Sequence, residues 1–312
     1  MKTLIVGAGA VGGFVGGRLV QAGREVDFLV RPGRAEHLRQ RGLHIVEGNR
    51  SEGIAVNPIT ADALKETEEP YDLVLLSVKP DALSAVMDDI TSAVGSATVL
   101  VPFLNGMAHL EELTGRFGKS LLGGTLRIVT QLDDNGDIRQ YLPGGQIEIG
   151  ELDGSRTSRV EEVARTLAIP DFDVAVSADI VGAMWQKWVM IATVGAITSL
   201  ARGTIGDAAA LTDGERFATV TLEEAASVAA ASGHGLSEPA HAALQELVTA
   251  TGSGMTSSLS RELASGRPTE VENVLGDLIR RGHATGVPVP RLEAAALTLR
   301  AHNQRHTTAP EN

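Results

Sequence analysis

The chain contains no cysteine, and that absence removes several kinds of chemistry at once. Disulfides, thiolate nucleophiles and cysteine-ligated metals are excluded, and the composition fits a reducing compartment. Aromatic residues are also scarce, at 3% of 312 residues, so a core must be built mainly from Ala, Val, Leu and Ile. Hydrophobic residues still make up 43% of the chain, an ordinary share for a globular protein.

Positive charge is in short supply as well. The chain has 27 Lys and Arg against 39 Asp and Glu, for a formal net charge of −12. This balance disfavours a general nucleic-acid or anionic-membrane binder, which needs a basic surface. The uncharged run from Trp188 to Ala201 is shorter than the roughly 20 residues of a transmembrane helix. We therefore expect a cytoplasmic protein without a nucleic-acid or membrane partner, and the spacing of the histidines predicts no metal site.

The order of local patterns predicts two domains. Residues 1–177 alternate apolar runs with helical periodicity, which is typical of a parallel sheet, whereas only helical patterns follow from 178 to 312. We therefore predict an α/β protein with an N-terminal Rossmann-like dinucleotide-binding domain, 1–177, and an all-helical C-terminal domain, 178–312. The predicted elements of the parallel sheet are strands Thr3–Val6, Glu25–Val30, Asp72–Val78 and Thr98–Phe103, with helices Ala10–Ala22 and Asp81–Val94.

Turn and capping signals add detail to this outline. Turn residues around Asn135-Gly136 and 143–145 predict an antiparallel meander at the edge of the sheet. Two pairs, Ser158 with Glu161 and Thr269 with Glu272, have the spacing of a capping box. In the second half, helices are predicted at about 178–201, 213–232, 238–250, 254–265, 270–284 and 290–304.

A glycine-rich turn follows the first predicted strand. Its residues, Gly7, Ala8, Gly9, Ala10, Val11 and Gly12, stand between an apolar strand and a helix. In such a turn the first glycine permits the tight bend, the second lets backbone approach a pyrophosphate, and the third allows close packing of helix on strand. The N–H groups of the helix N-terminus then bind the anion. The context favours a dinucleotide site over a purely structural turn.

The end of the next strand indicates which dinucleotide. An NAD site usually carries Asp or Glu there, to bind the ribose 2′-hydroxyl. Here the strand ends at Arg31, with Arg34 close behind, and guanidinium groups can hold a 2′-phosphate. Asp27 is the rival ligand, but it lies in the middle of the strand. NADP is the favoured cofactor, while a solvated arginine pair remains the structural alternative.

Four polar residues are candidates for chemistry, and each also has an ordinary structural interpretation. Lys187 is the only charged residue between Asp179 and Arg202, so it is either a desolvated proton donor or a lysine that extends along a helix edge to water. Lys79 and Asn105 follow predicted strands, where α/β domains place ligand contacts, but a surface lysine and a turn residue would stand there too. Glu270 would also suit a helix N-terminus.

Taken together, these segments resemble the ketopantoate reductase (2-dehydropantoate 2-reductase) family over nearly the whole chain. The resemblance rests on the order and spacing of Gly7–Gly12, Arg31, Ser77-Val78-Lys79, Leu104-Asn105-Gly106-Met107, Trp185-Gln186-Lys187-Trp188 and Pro268-Thr269-Glu270-Val271. It implies reduction of a 2-keto acid by NADPH, the family's step in pantothenate biosynthesis.

The resemblance also implies roles for individual residues. Lys187 would protonate the carbonyl oxygen, and Asn105 would lie between cofactor and substrate. Lys79 would contact the cofactor, Glu270 would lie near the nicotinamide ribose and the substrate, and Arg31 would bind the 2′-phosphate. A family serine that contacts the substrate carboxylate corresponds to Ser258 in this chain.

The chain departs from the family where the substrate would bind. Family asparagines one and two turns after the catalytic lysine are replaced by Ile191 and Gly195, and a third corresponds to Ile205. Residues at i, i+4 and i+8 share a helix face, so Lys187 would share its surface with Ile191 and Gly195. A substrate hydroxyl facing Ile191 would be unsatisfied, at a cost of about 1–3 kcal/mol. We therefore expect a less polar keto substrate than ketopantoate.

The sequence is also compatible with two other classes of protein. One is another NADP-dependent hydroxyacid or opine-type dehydrogenase with a helical C-terminal domain. The other is a non-catalytic NADP-binding regulator, although such a sensor would not need Lys187, Asn105 and Glu270. The apolar helical half would also offer a surface for a homodimer.

Overall fold

The computed structural model describes residues 1–67 and 69–307, which form two compact units. The first unit comprises Met1–Leu104 and His109–Ala183, and the second comprises Asn105–Ala108 and the chain from Met184 onward. The predicted domain boundary lay between residues 177 and 178; packing assigns residues 178–183 to the first unit as well. The end of the predicted second domain, 308–312, lies outside the described residues.

The strands of the described residues all lie in the first unit. They are β1 (Thr3–Val6), β2 (Val26–Leu29), β3 (Leu43–Glu47), β4 (Arg50–Ile54), β5 (Asn57–Ile59), β6 (Leu73–Leu76), β7 (Val99–Pro102), β8 (Gly123–Arg127), β9 (Thr130–Leu132), β10 (Ile138–Gln140), β11 (Gly145–Gly150) and β12 (Phe172–Val176). A five-stranded parallel sheet has the order β5-β2-β1-β6-β7. Its central strands are apolar runs buried on both faces, as a parallel sheet requires. The Rossmann-like prediction is confirmed.

The helices of the first unit alternate with these strands along the chain. They are α1 (Gly12–Gln21), α2 (Pro32–Arg41), α3 (Ala61–Lys65), α4 (Leu83–Asp89), α5 (Ala108–Phe117), whose first residue belongs to the second unit, and α6 (Ser158–Leu167). The single helix expected over Asp81–Val94 is wrong, because 3₁₀ turns at Pro80–Ala82 and Ile90–Ala93 bracket α4. Pro80 at the first position of its turn has no N–H to donate.

The remaining strands do not form one meander at the edge of the parallel sheet. The β9–β10 hairpin joins a four-stranded sheet of order β4-β3-β10-β9, and β8 and β11 form a three-stranded sheet with β12. The antiparallel pairing at Asn135-Gly136 is as predicted, but the turn at 143–145 joins β10 to β11, which lie in different sheets. In addition, β10 is parallel to β3 and β11 is parallel to β12. Local turn signals fix a hairpin and carry no information about the distant strand that pairs with it.

Both predicted capping boxes are wrong. The side chain that caps α6 is Thr157, whose hydroxyl accepts from the amide of Val160, so Ser158 is already the first helical residue. At Thr269 the hydroxyl donates to Asn303 instead of accepting from the following turn. In both cases the hydrogen bond that forms involves a polar side chain other than the pair that the spacing indicated: Thr157 at α6, and Asn303 at Thr269.

The second unit is helical, as predicted. Its helices are α7 (Ile180–Ala201), which begins in the first unit, α8 (Ile205–Ala209), α9 (Gly214–Ala231), α10 (Glu238–Thr249), α11 (Ser258–Ala264), α12 (Asp277–Thr285) and α13 (Pro290–Thr307). A π-helical turn, Glu272–Gly276, precedes α12. By length and composition α7 could cross a bilayer, but 61% of its most apolar stretch is buried inside the protein, as in the core helix of a soluble protein.

The glycine-rich turn is held against the end of β6. Gly7 has a φ of +94°, which L side chains rarely adopt, and its carbonyl accepts a hydrogen bond from Ser77 Oγ at 3.3 Å. The amide of Ser77 donates to the carbonyl of Val6 at 3.0 Å. A Cβ on Gly12 would overlap both Ser77 Oγ and the Gly7 carbonyl oxygen. This packing places the N-terminus of α1 beside the carboxyl ends of β1 and β6.

This close approach predicts the effect of an added methyl group. Gly12→Ala must displace the backbone of Gly7, and overpacking of this kind costs about 1–3 kcal/mol. Gly9→Ala is the matched control, because a Cβ at Gly9 would have no atom within 4 Å. We expect a lowered midpoint of urea unfolding for Gly12→Ala and an unchanged midpoint for Gly9→Ala. Equal stability of the two variants would contradict the packing described for Gly12.

Candidate functional site

The turn between β1 and α1 has the form of an anion cradle. The space beside Gly9 is open, since nothing lies within 4 Å of the position its Cβ would take. The first amides of α1 lie at this end of the helix, where a pyrophosphate receives N–H donors and the favourable end of the helix dipole. The residues present therefore fit the phosphate groups of a dinucleotide.

Arg31 and Arg34 have different surroundings. Arg31 directly precedes α2, and its exposed side chain makes no hydrogen bond or ion pair with any other described residue. Arg34 is half-buried and donates to the carbonyls of Ala8 at 3.3 Å and Gly136 at 3.1 Å. Burial lowers the pKa of Arg34. Arg34 therefore braces the glycine-rich turn, while Arg31 is the cation available to an incoming phosphate.

The carboxylate of Asp27, the alternative ligand for a ribose hydroxyl, already accepts two hydrogen bonds within the protein. Its Oδ1 accepts from Asn57 Nδ2 and its Oδ2 accepts from Tyr71 OH, each at 2.6 Å. Burial and the Asp27 carboxylate together raise the pKa of the Tyr71 phenol. The carboxylate thus connects β2 with β5 and with the segment before β6. A ribose 2′-hydroxyl at Asp27 would have to share the carboxylate with these two donors.

Lys79 lies at the position that the sequence suggested. It directly precedes the 3₁₀ turn that follows β6, and its side chain is exposed. In a parallel sheet the carboxyl ends of the strands meet at one edge, where ligands bind. Lys79 is therefore at the same edge of the sheet as the glycine-rich turn.

In the second unit, one tryptophan connects the segments that carry the candidate catalytic residues. Trp188 is 1% exposed, and its Nε1 donates to the carbonyl of Val274 in the π-helical turn at 2.9 Å. Gly106, with a φ of +78°, packs on the same turn: its Cβ position lies 2.5 Å from the carbonyl oxygen of Asn273 and 3.9 Å from Trp188 Cε2. We call this group of contacts the Trp188 junction.

The Trp188 junction brings three separate parts of the chain together. Asn105 precedes Gly106, Lys187 precedes Trp188, and Glu270 stands just before the π-helical turn. All three side chains are half-buried. No pattern in the sequence predicted the π-helical turn, although such turns are frequent at functional sites. The partial burial of Lys187 is compatible with both alternatives, a desolvated proton donor and a lysine that extends along a helix edge to water.

Further aromatic and charged groups fix the Lys187 segment. Trp185 stacks on His234, with ring centroids 5.2 Å apart, and the Arg281 guanidinium lies 5.6 Å from the ring centroids of both Trp185 and Trp188. Asp277 accepts a hydrogen bond from Arg281 Nε at 3.1 Å. Sequence reasoning missed this cluster, because its members are distant along the chain.

The face of α7 beyond Lys187 is apolar. Ile191 is half-buried, and Gly195 is buried, with Leu259 Cδ1 3.0 Å from the position of a Cβ. Leu259 belongs to α11, so this leucine closes the space that a larger residue at Gly195 would fill. Ile205 is fully buried in α8. No amide side chain stands at any of these three positions.

Ser258 and Glu270 stand at the starts of two helical segments. Ser258 is the first residue of α11 and is exposed, while the preceding Ser257 caps the helix by accepting from the amide of Ser260 at 2.9 Å. Glu270 is close to Glu272, which pairs with Arg300 at 2.7 and 2.8 Å. These hydrogen bonds from Arg300 lower the pKa of Glu272, so Glu272 is engaged in structure rather than in capping.

Family models cover both halves of the chain. The model described as ketopantoate reductase PanE/ApbA matches residues 3–154, and the model of its C-terminal domain matches residues 179–303. The chain is 33% identical over 309 residues to the "Uncharacterized oxidoreductase YkpB" of Bacillus subtilis, covering 97% of this chain and 99% of that protein. It is 27% identical over 300 residues to a 2-dehydropantoate 2-reductase of Halobacterium salinarum, covering 95% and 97%.

Solved structures agree with these similarities. A 2-dehydropantoate 2-reductase from Geobacter metallireducens is 26% identical, with a TM-score of 0.84, and the match covers 96% of this chain and 99% of that one. D-mandelate dehydrogenase in complex with NADH and anilino(oxo)acetate has a TM-score of 0.86 at 21% identity, over 99% and 100% of the chains, and shows a shared fold. With models of both its halves matched, the chain belongs to the ketopantoate reductase PanE/ApbA family of oxidoreductases.

Proposed function

We propose that this protein is an NADPH-dependent reductase of a 2-keto acid whose side chain is less polar than that of ketopantoate. The observation that carries the proposal is the Trp188 junction, which joins the chain segments next to Lys187, Asn105 and Glu270 within the helical unit. The family and its named 2-dehydropantoate 2-reductases support the reaction class. We assign the enzyme to the cytoplasm, in keeping with a chain free of cysteine.

The proposed cofactor is NADP, bound by the first unit. The turn from Gly7 to Gly12 would hold the pyrophosphate, and Arg31 would pair with the 2′-phosphate through charge-assisted hydrogen bonds. The NADH-bound D-mandelate dehydrogenase supports a nicotinamide dinucleotide in this fold. The preference for the phosphorylated form rests on Arg31, which pairs with no other described residue, and on the occupied Asp27. When bound, the reduced nicotinamide supplies a hydride.

In this proposal, residues of the second unit neutralise the negative charge that develops on the carbonyl oxygen. The ammonium group of Lys187 donates a proton to that oxygen as the carbonyl carbon is reduced. The Asn105 amide orients the carbonyl, and the Glu270 carboxylate holds hydroxyl groups of the substrate or the nicotinamide ribose. Lys79 would contact the cofactor, and Ser258 would contact the substrate carboxylate.

The proposed substrate class follows from the apolar face of α7. Ile191, Leu259 over Gly195, and Ile205 offer no hydrogen bond to a substrate hydroxyl. A hydroxyl-bearing keto acid would leave its own polar group unsatisfied there, whereas an apolar side chain would gain from burial. The complex of D-mandelate dehydrogenase with anilino(oxo)acetate is in line with an apolar 2-oxo acid in this fold.

A substrate panel tests the proposed class. We expect kcat/KM for phenylglyoxylate or 4-methyl-2-oxopentanoate to exceed that for ketopantoate by about tenfold or more, because one unsatisfied hydroxyl costs about 1–3 kcal/mol. The measurement is NADPH oxidation followed by its absorbance, with pyruvate as the small reference keto acid. A preference for ketopantoate would contradict the substrate class and leave the reductase assignment in place.

Removing the proposed proton donor tests the catalytic role of the second unit. Lys187→Ala should lower kcat by about 10²–10⁴-fold, the usual contribution of a positioned acid, while the Kd for NADPH should change little. Lys187→Arg keeps the charge but holds its proton too tightly to donate it, so it should be similarly impaired. Lys119→Ala, which removes an exposed lysine of the first unit, serves as the control. Unchanged turnover in Lys187→Ala would remove this residue from the mechanism.

A further inference from the structure

The segment before Glu270 is bound by one amide side chain from the last helix. Asn303 of α13 accepts from both the amide nitrogen and the hydroxyl of Thr269, at 2.8 and 3.1 Å, through its Oδ1. Its Nδ2 donates to the carbonyl of Thr269 at 2.9 Å. Thr269 is 8% exposed, so these bonds are largely shielded from water. A single side chain thus satisfies every hydrogen-bonding group of Thr269.

Two further contacts from α13 hold the residues on either side. His302 Nε2 bonds to the carbonyl of Arg267 at 2.9 Å, and Arg300 forms a two-pronged ion pair with Glu272 at 2.7 and 2.8 Å. Pro268 restricts its neighbour Arg267 to extended backbone. The chain is therefore attached to α13 at 267, 269 and 272, before and after Glu270.

Glu270 itself is also restrained on its C-terminal side. Its carbonyl accepts from the amide of Val274 at 3.3 Å, and the carbonyl of Val274 is the group to which Trp188 donates. The main chain of Glu270 is thus fixed from α13 through Thr269, and from α7 through the π-helical turn. A displacement of about 1 Å at a reacting group can cost about 100-fold in rate, so these restraints bear on catalysis.

We propose that Asn303 is a positioning residue that fixes the Glu270 carboxylate for the reaction. The inference rests on the role of Glu270 in the proposed function. An asparagine suits this task because its side chain both accepts and donates, as a backbone peptide does. The substitution Asn303→Asp would keep the accepted bonds and lose the donated one, so it removes the contact in part, whereas Asn303→Ala removes it entirely.

A double-mutant cycle separates positioning from general support of the fold. We would measure kcat with NADPH and phenylglyoxylate for Asn303→Ala, Glu270→Gln and the double variant, with the Asn303→Asp cycle in parallel. Thr298→Ala is the matched control, since its hydroxyl bonds within α13, to Ala294. Hydrogen exchange of segment 267–272 in the cofactor-free protein supplies a readout independent of activity.

Asn303→Ala should lower kcat by about tenfold or more, with KM for the keto acid changed less, and should have little further effect once Glu270 is replaced by Gln. Exchange at the Thr269 amide should accelerate by about tenfold, because its acceptor is lost, whereas Thr298→Ala should change neither quantity. Equal losses in both backgrounds, or no loss in the parent enzyme, would overturn the positioning role. An active Glu270→Gln enzyme would instead refute the role of Glu270 within the proposed function.

Discussion

The lack of room between Gly12 and the carbonyl of Gly7 is the constraint on which the first unit depends. A side chain at Gly12 would overlap both that carbonyl and Ser77 Oγ, so helix and strand can meet only through a glycine. The same contact keeps the α1 N-terminus beside the ends of β1 and β6, and leaves open space at Gly9. The turn is thus tightly packed at Gly12 and open at Gly9, where a pyrophosphate could approach the backbone.

The second unit depends on a comparable contact, made by a buried indole. The N–H of Trp188 must find an acceptor in the core, since an unsatisfied buried donor costs about 1–3 kcal/mol. It finds the carbonyl of Val274, in a turn whose π-helical geometry departs from the regular α pattern. Gly106 packs on the same turn. Gly106, Trp188 and the π-helical turn, which are distant in the sequence, are thereby in contact. Each of the three lies next to a candidate catalytic residue in the chain.

Those features that depend on local chemistry could be predicted from the sequence. Thr3–Val6 is an apolar run ending in a glycine turn, so the strand and the start of the nucleotide site could be inferred with correct bounds. The ranking of Arg31 above Asp27 as a cofactor ligand, made from their places along the strand, stays a prediction. The actual partners of Asp27, which are Asn57 and Tyr71, come from other parts of the chain and could not be inferred.

Features that depend on distant partners were missed or wrongly predicted. Thr269 and Glu272 have the spacing of a capping box, but Asn303 and Arg300 of the last helix bind them instead. Leu259 of α11 packs against Gly195, and no pattern in the sequence indicated this contact. Hydrogen-bond competition and side-chain packing of this kind are decided in three dimensions, and no periodicity in the chain records them.

We propose that the cofactor site of this enzyme prefers NADPH to NADH because Arg31 binds the 2′-phosphate, and equilibrium titration tests this preference most directly. The Kd values for NADPH and NADH would be measured by fluorescence for the parent protein and for Arg31→Ala. Hydrogen bonds to a charged group contribute about 1.5–3 kcal/mol, so the parent protein should bind NADPH at least about tenfold more tightly than NADH. Arg31→Ala should lose most of that preference. NADH binding as tight as NADPH in the parent protein would contradict the account.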